Sequence, residues 1–515
     1  MAFFKNKRHT PTDRPQAQGQ VKHKDNVQIS AQLSDQFNDQ VNDDDGSIKD
    51  GHELSDKQIQ YVLLTLLLGG TVVSLSNSAL NPAIPVFMSV FSVDIVMGGW
   101  VLNAYVLAMS IGLMLSGYLN KKYPFKHVYL VAIVGFMLGS IIGMLASSMG
   151  MVIAARAIQG LSGGLIIPLS MGMLYQIYPQ HRHGRVMALW GIVVMMSLAF
   201  GPLVGAYLVE QFAWWTLFAV TLPLSAAVMM MAWRLLPDRR PSEQTSTFDT
   251  FGFMSLLVWL LALMLWLGTL KINFQEGLFD IIILCLLTGG FLLSALVWWR
   301  YESNTLHPLL NVRLFNNTTY LHSTVISITQ TLGLMLCLLL LPIIIQEIMG
   351  ESALWTGVVL MVATLVASIT THYAGKTVDK SGARTIGIFG IVISALSTFM
   401  LAWCLYQPSL WLLMLVMSVR GVGVGLAYLP TTTVGFSSLP KEVVTEGAAL
   451  NNIGRRIVST VVITVATIYI EGRGTQLLSV GSSEGMASAI QEVLIVIAVL
   501  LLLTLPSAYK LPRSV

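Results

Sequence analysis

Fourteen long apolar runs, each bounded by charged or turn-forming residues, occur along this sequence. A helix of about 20 apolar residues is long enough to cross the hydrocarbon core of a bilayer, which is about 30 Å thick. Only 11% of the 515 residues are charged, whereas soluble proteins usually have about 25%. The sequence therefore predicts an all-α integral membrane protein with the lipid bilayer as a partner. It disfavours a soluble enzyme, a secreted disulfide scaffold and a nucleic-acid binder.

The apolar runs are numbered in chain order. Their approximate limits are residues 60–84, 97–119, 127–147, 150–174, 185–209, 213–235, 250–270, 279–300, 320–346, 353–375, 385–406, 409–432, 453–471 and 488–508. Because 14 is an even number, both ends of the chain are predicted to lie on the same side of the membrane.

Lysine and arginine are distributed unequally between the two sets of connections. One set, with the residues after run 14, carries 18 of them, including Arg455 and Arg456, while the other set carries only Lys271 and Arg473. Cytoplasmic loops are enriched in these residues. Both termini are therefore predicted to be cytoplasmic, with residues 510–515 as a short cytoplasmic end.

The first 57 residues form a polar segment that holds 8 basic and 10 acidic residues. With few apolar groups to bury, such a segment does not recover the entropy lost on ordering. We predict a disordered cytoplasmic tail over residues 1–57. A signal peptide is not expected, because the first apolar run begins only near Ile59.

The sequence shows no arrangement that suggests an enzyme, a metal site or a cofactor. Cys285, Cys337 and Cys404 lie in separate runs, which gives neither a metal-ligand spacing nor a disulfide pair. No paired carboxylates, histidine cluster or phosphate-binding loop is present. We expect a non-enzymatic protein that is not itself driven by ATP.

Several features recur at a nearly constant separation, which indicates an internal repeat. The segment beginning at Gly117 is echoed 258 residues later at Gly375, and Gly160 is echoed 261 residues later at Gly421. Runs 1–6 then correspond to runs 9–14, which gives a 6 + 2 + 6 arrangement. The predicted parts are an N-terminal six-helix bundle (58–240), two inserted helices with linkers (241–317) and a C-terminal six-helix bundle (318–509).

Two equivalent bundles that face each other are typical of transporters that rock around a site near the middle of the membrane. A channel is disfavoured, because the sequence contains no filter-like segment. The pattern therefore predicts a transporter with its substrate site between the bundles.

Three motifs in the first half carry a family resemblance. Run 4 contains Arg156-Ala-Ile-Gln159-Gly160, run 5 contains Gly201-Pro202-Leu-Val-Gly205, and run 2 contains Trp100-Val-Leu-Asn103-Ala-Tyr105. Together with the segment from Gly375 to Arg384, they resemble the major facilitator superfamily and, within it, the 14-helix drug:proton antiporters of the EmrB/QacA type.

The resemblance implies a major facilitator fold and a multidrug exporter in the bacterial cytoplasmic (inner) membrane. Amphipathic, often cationic small molecules would leave in exchange for protons, by alternating access and without a cofactor. A periplasmic adaptor protein is a further partner that the family allows. The alternative is an exporter of one physiological solute, such as a siderophore, fatty acid or amino acid, with altered proton coupling.

Arg156 and Arg420 lie inside apolar runs. A charged side chain at membrane depth is costly unless it has a partner or lines a water-filled cavity. Arg156 is therefore predicted to act in coupling or substrate handling, and Arg420 is a second candidate. The alternative for both is a structural arginine bonded to helix carbonyls.

Gly201, Pro202 and Gly205 remove side-chain bulk and one backbone donor from run 5. They are predicted to form a tight hinge between the halves, or else to serve packing alone. Asp379, Lys380 and Arg384 are predicted to form a cytoplasmic gate. Its counterpart in the first half would use Lys121, which stands where the family commonly has an acid.

Run 1 departs from the family pattern at the position of its acid, where this chain has Ser76. Serine does not titrate near neutral pH, so the expected proton carrier is absent. Glu446 and Asp94 are candidate substitutes for it. The predicted substrate-binding and coupling set consists of Arg156, Ser76, Asn77, Asn81, Trp100, Asn103, Tyr105, Gln159, Gln330, Gln346, Arg420 and Glu446. Interhelical hydrogen bonding is the alternative role for its uncharged members.

Overall fold

All regular structure in the described part of the chain is helical. The computed structural model describes residues 56–179, 182–237, 249–269, 278–305, 310–440, 443–479 and 485–512. Within these ranges, 14 helices are long and apolar enough to cross a membrane. This confirms the predicted all-α membrane class and the number of helices.

The helices of the first half are numbered in chain order. They are α1 (Lys57–Phe91), α2 (Ile95–Lys122), α3 (Phe125–Met144), α4 (Met149–Ile177), α5 (His183–Gln211), α6 (Thr216–Leu235) and α7 (Thr250–Thr269). Helix α1 contains a short 3-10 turn at Asn81–Ala83, where Pro82 and Pro85 interrupt the regular donors.

The second half continues the numbering. Its helices are α8 (Leu278–Asn304), α9 (Thr318–Ile343), α10 (Ala353–Ala374), α11 (Gly382–Cys404), α12 (Leu410–Ser437), α13 (Val444–Ser479) and α14 (Gly485–Tyr509). Helices α10 and α11 form one helical stretch that is broken at Gly382, where φ is 73°. Glycine suits this position because a side chain would be strained there.

The predicted start of run 13 was wrong by about nine residues. Helix α13 begins at Val444 rather than 453, so Arg455 and Arg456 lie inside the helix and not in a connection. Hydropathy missed this part of the helix because residues 444–452 are mostly small or polar.

One end of the helix bundle, named the basic end, contains the turns after α2, α4, α10 and α12. Helix ends from distant parts of the chain meet there: Asn317 Nδ2 donates to the carbonyl of Ser438 at 2.9 Å, and Tyr320 Oη donates to the carbonyl of Gly447 at 2.7 Å. The opposite end is named the far end.

The predicted glycine repeat corresponds to a repeated helix contact. A Cβ at Gly160 of α4 would overlap the Tyr105 carbonyl of α2, and a Cβ at Gly421 of α12 would lie 2.5 Å from the Ala363 carbonyl of α10. Small residues let membrane helices approach closely. The pairs α2/α4 and α10/α12 therefore pack in the same way.

Several apolar cores join the helices, and three of them show how the helices are grouped. One core contains buried residues of α1, α3, α4, α5 and α6, and another contains mainly α9–α14 with parts of α1 and α2. Helices α7 and α8 share a third with α2 and α13, through Leu256, Trp298, Leu107 and Leu450. The division into parts at 58–240, 241–317 and 318–509 stays a prediction.

Candidate substrate and coupling site

Arg156 and Tyr105 form the centre of the candidate site. The guanidinium carbon of Arg156 lies 3.9 Å from the centroid of the Tyr105 ring, and both side chains are buried. The close approach of α2 and α4 at Gly160 brings them together. A guanidinium on an aromatic face is attracted by the ring quadrupole, which stabilises the arginine without neutralising its charge.

A chain of hydrogen bonds extends from Arg156 across the first half. Arg156 Nη1 donates to Gln159 Oε1 at 3.1 Å, and Gln159 Nε2 donates to Ser140 Oγ of α3 at 2.9 Å. Ser140 Oγ lies 2.9 Å from Thr221 Oγ1 of α6. Nε and Nη2 of Arg156 are buried and have no hydrogen-bond partner among the described residues.

Tyr105 also connects the site to α1. Its hydroxyl donates to the Val73 carbonyl at 3.4 Å. A Cβ at Gly163 would lie 2.8 Å from Val73 Cγ1 and 3.2 Å from the Tyr105 hydroxyl, so glycine keeps this corner open. Ser76 follows Val73 by about one helical turn and is buried, and its hydroxyl has no partner among the described residues.

Arg456 of α13 approaches the same tyrosine from the second half of the chain. Arg456 Nη1 donates at 3.3 Å to the carbonyl of Val106, the residue that follows Tyr105. Sequence reasoning assigned Arg456 to a connection and missed it. The segment from Asn451 and Asn452 to the two arginines contains no proline, so the sequence allows a helix over it. A helix over this segment would have placed both arginines inside a span.

The neighbouring Arg455 points elsewhere and binds within the second half. Its guanidinium donates to Thr331 Oγ1 of α9 at 3.4 Å and to Asn452 Oδ1, and lies 5.0 Å from the Tyr428 ring centroid. Gln330 of α9, the residue before Thr331, is buried, and both polar atoms of its amide lack partners in the described part of the chain.

Arg420 is the counterpart of Gln159 in the second half. It donates to Thr398 of α11 as Gln159 donates to Ser140 of α3. Its Nη2 lies where a side chain on Gly333 of α9 would be, 2.7 Å from that Cβ position. Nε and Nη2 have no hydrogen-bond partner within the described ranges. Arg420 is therefore a buried cation of one half and is not brought to Tyr105.

Two of the predicted polar residues connect the halves. Asn103 Nδ2 donates to Thr464 Oγ1 of α13 at 3.0 Å, and Gln346 Nε2 donates to the Pro82 carbonyl of α1 at 2.8 Å. Asn81 is buried in the turn of α1, whereas Asn77 and Trp100 are half-buried. Gln346 thus lies at the far end, away from Tyr105 in depth.

The predicted hinge residues contact both α1 and α10. A Cβ at Gly205 would overlap the Ala79 carbonyl, and one at Gly201 would overlap Ser78 Oγ. A Cβ at Gly357 of α10 would lie 2.7 Å from the Pro202 carbonyl. Helix α5 is therefore held between α1 and α10 at the far end.

The predicted gate can be described only at Arg384, whose Nε donates to the Leu511 carbonyl at 2.9 Å. The side chains of Lys121, Asp379 and Lys380 lie outside the described residues. The predicted tail, residues 1–57, also falls outside them except for its last two positions.

The described acids lie at or near helix ends. Glu446, in the first turn of α13, accepts from Asn311 Nδ2 at 3.1 Å, and Asp94 accepts from the Met97 amide at 2.9 Å as the cap of α2. Glu492 pairs with Arg473 at 3.4 Å near the far end. In the ranges that the structure describes, none of the four arginines 156, 420, 455 and 456 forms a salt bridge.

The sequence profile of the Major Facilitator Superfamily matches residues 66–463. The chain belongs to this superfamily. It is 26% identical over 425 residues to the uncharacterised MFS-type transporter YhcA of Bacillus subtilis, covering 82% of this chain and 79% of that protein. It is 25% identical over 423 residues to the multidrug export protein EmrB of Escherichia coli, covering 80% of each.

A superfamily fold is also seen in solved structures. A bacterial homologue of the human lysosomal transporter Spinster matches with a TM-score of 0.63 and 12% identity, covering 88% of this chain and 97% of that one. The predicted major facilitator fold and the predicted resemblance to EmrB-type transporters are confirmed. As a transporter of this superfamily, the protein acts on small molecules at a membrane.

Proposed function

We propose that this protein is a secondary active exporter of amphipathic small molecules that works by alternating access and proton antiport. The observation that carries the proposal is that the two halves of the chain contact each other at two different depths in the helix bundle. At the far end, Gly357 packs against Pro202 of α5. Near mid-depth, Arg456 contacts the backbone of α2 beside Tyr105.

The contacts at the far end suit a closed barrier. A Cβ on Gly357 of α10 would lie 2.7 Å from the Pro202 carbonyl and 2.8 Å from Leu203 Cα of α5, so the two helices are in close contact there. The rocking units would be the bundles 58–240 and 318–509, with both termini in the cytoplasm of a bacterial inner membrane. Movement around Tyr105 would then open and close access from each side.

Proton coupling rests on the likeness to EmrB-type antiporters, because Ser76 replaces the acid of run 1. Glu446 and Asp94 already serve as acceptors at helix starts, which makes either a less suitable carrier. A Ser76→Asp variant with Ser76→Asn as its uncharged control tests whether that position can couple transport. We expect the aspartate variant, and not the asparagine control, to change the pH dependence of the transport rate relative to the wild type.

The export proposal is tested with the purified chain in proteoliposomes. An imposed pH gradient is expected to drive movement of an amphipathic dye, and a protonophore is expected to abolish it. Empty liposomes correct for passive permeation. Dye movement that is independent of the gradient would contradict antiport, whereas no protein-dependent movement of any tested amphiphile would contradict export.

A second candidate is the export of one physiological solute, such as a siderophore, fatty acid or amino acid. Four arginines within the spans and no described acid beside them favour a solute that carries an acid group. Inhibition of dye transport by many unrelated drugs would support a multidrug exporter. Inhibition by a single class of metabolite would support this alternative.

A further inference from the structure

Four arginines inside the spans have no acidic partner among the described residues. Arg156, Arg420, Arg455 and Arg456 lie within helices α4, α12 and α13, and none has a carboxylate within salt-bridge distance in the described ranges. A buried cation is stable only with a partner or with access to water. These arginines therefore leave positive charge that the described protein groups do not balance.

The four arginines are not equivalent. Arg420 is bound to Thr398 and Arg455 to Thr331 and Asn452, so each is held by helices of the second half alone. Arg156 of α4 lies on the ring of Tyr105, and Arg456 of α13 donates to the carbonyl of the next residue, Val106. A ligand bound at Tyr105 would therefore be held by arginines from both halves of the chain.

The free groups at this position are donors. Nε and Nη2 of Arg156 are fully buried and unpartnered in the described part of the chain. A guanidinium has five N–H donors and no acceptor, so it binds carboxylate and phosphate groups and repels cations. Val73 and the Tyr105 ring supply apolar surface beside these donors.

We propose that Arg156 and Arg456 form an anion site around Tyr105, and that the transported solute is an amphipathic anion with a carboxylate or similar acid group. This inference rests on the proposed transport function. It replaces the cationic solute that the family resemblance implies with one of opposite charge. Arg156 would bind the acid group from the first half and Arg456 from the second, so the anion would connect the two bundles.

An anionic lipid headgroup has the same chemistry as a soluble acid. The two sources are separated by measuring binding of the soluble anion in nanodiscs of phosphatidylcholine alone and in nanodiscs containing phosphatidylglycerol. Equal affinity in both supports a soluble solute. Affinity that falls as phosphatidylglycerol increases assigns the site to lipid and overturns the proposal for the transported solute.

The charge preference is tested with three probes of one length: hexanoate, hexyltrimethylammonium and hexanol. Binding to the full chain in phosphatidylcholine nanodiscs is measured by isothermal titration calorimetry, with empty nanodiscs as the blank and no proton gradient. We expect hexanoate to bind at least about tenfold more tightly than the other two, which corresponds to about 1.4 kcal/mol. Binding of the cation as tight as that of hexanoate would overturn the proposal.

The residues are tested with Arg156→Gln and Arg456→Gln, each expected to weaken hexanoate binding about tenfold and to leave hexanol binding unchanged. Arg456→Lys keeps the charge and is expected to restore part of the loss. Arg455→Gln is the matched control, because it removes the adjacent charge and is expected to change affinity by less than about threefold. An equal loss in Arg455→Gln would indicate general charge attraction and would overturn the assignment.

The proposed exporter function and the proposed anion site can be contradicted independently of each other. Specific anion binding without any gradient-driven transport would leave the site in place and contradict the exporter. Gradient-driven export of cations without a preference for hexanoate would support the exporter and contradict the anion site. Elution of every variant as a monodisperse peak in size-exclusion chromatography excludes misfolding as the cause of lost binding.

Discussion

The guanidinium of Arg156 lies 3.9 Å from the centroid of the Tyr105 ring, and Arg456 from the other half of the chain donates to the carbonyl of the next residue, Val106. Two cations from different halves of the chain therefore lie near Tyr105. The ring provides a negative face for a guanidinium, and it adds no charge. An anion placed there would be attracted by both arginines, which gives the site its proposed chemistry.

The first prediction concerns the ring and the hydroxyl of Tyr105 separately. Tyr105→Phe keeps the aromatic face and removes only the long bond to the Val73 carbonyl at 3.4 Å, so transport within about twofold of the wild type is expected. Tyr105→Leu removes the cation–π contact, which contributes about 0.5–2 kcal/mol. We expect it to lower the initial transport rate about tenfold. Equal rates in the two variants would show that the ring is not needed.

The second prediction concerns the stability cost of the buried charge at Arg156. Burial of an ion costs several kcal/mol of lost hydration, and no described carboxylate offsets this cost at Arg156. Arg156→Gln is therefore expected to have the same or a higher thermal unfolding midpoint while losing transport. Arg313→Gln, which removes a cation bonded to the Ser303 carbonyl at 2.7 Å in an exposed position, is the control for charge removal. A lower midpoint in Arg156→Gln would indicate a structural arginine.

The third prediction concerns the close approach of α5 to α1. Gly205→Ala places a Cβ onto the Ala79 carbonyl, whereas Gly191→Ala in the same helix meets no atom within 4 Å. Overpacking of this kind costs about 1–3 kcal/mol, and backbone cannot move aside as a side chain can. We expect Gly205→Ala to lower the unfolding midpoint and the transport rate. Gly191→Ala should behave as the wild type, and similar losses in both would rule out a specific contact.

The fourth prediction concerns movement between α2 and α13. A Cβ at Gly99 would lie 3.5 Å from Thr467 Cγ2, whose place the sulfur of Thr467→Cys can take, so Gly99→Cys and Thr467→Cys are expected to crosslink. In a background without the three native cysteines, oxidation of Gly99→Cys/Thr467→Cys is expected to stop transport. A reductant is expected to restore it.

The control for this pair moves one cysteine along the same helix. A Cβ at Gly117 meets no atom within 4 Å, so Gly117→Cys/Thr467→Cys should not crosslink and should transport under both conditions. Full transport by the oxidised Gly99→Cys/Thr467→Cys protein would show that these helices need not separate during the cycle.

The repeat is one part of the fold that could be predicted, because backbone contact in a membrane requires small residues at fixed spacing. Gly160 and Gly421 therefore indicate from the sequence a close helix contact in each half, and the structure identifies the pairs as α2/α4 and α10/α12. The hydrogen bonds from Gln159 to Ser140 and from Arg420 to Thr398 continue the same repeat. Their partners lie on other helices and could not be paired from one sequence.

The sequence by itself determined the membrane class, the number of spans and the family, since these follow from apolar length and local motifs. Only the tertiary structure decided which polar groups meet. Arg456 was hidden because a helix start of small polar residues has no hydropathy signal. Its approach to Tyr105, 351 positions away in the numbering, depends on how α2 and α13 pack. Within a span, the sequence shows that a charge must be accommodated, whereas only packing shows which partners it has and which of its donors remain free.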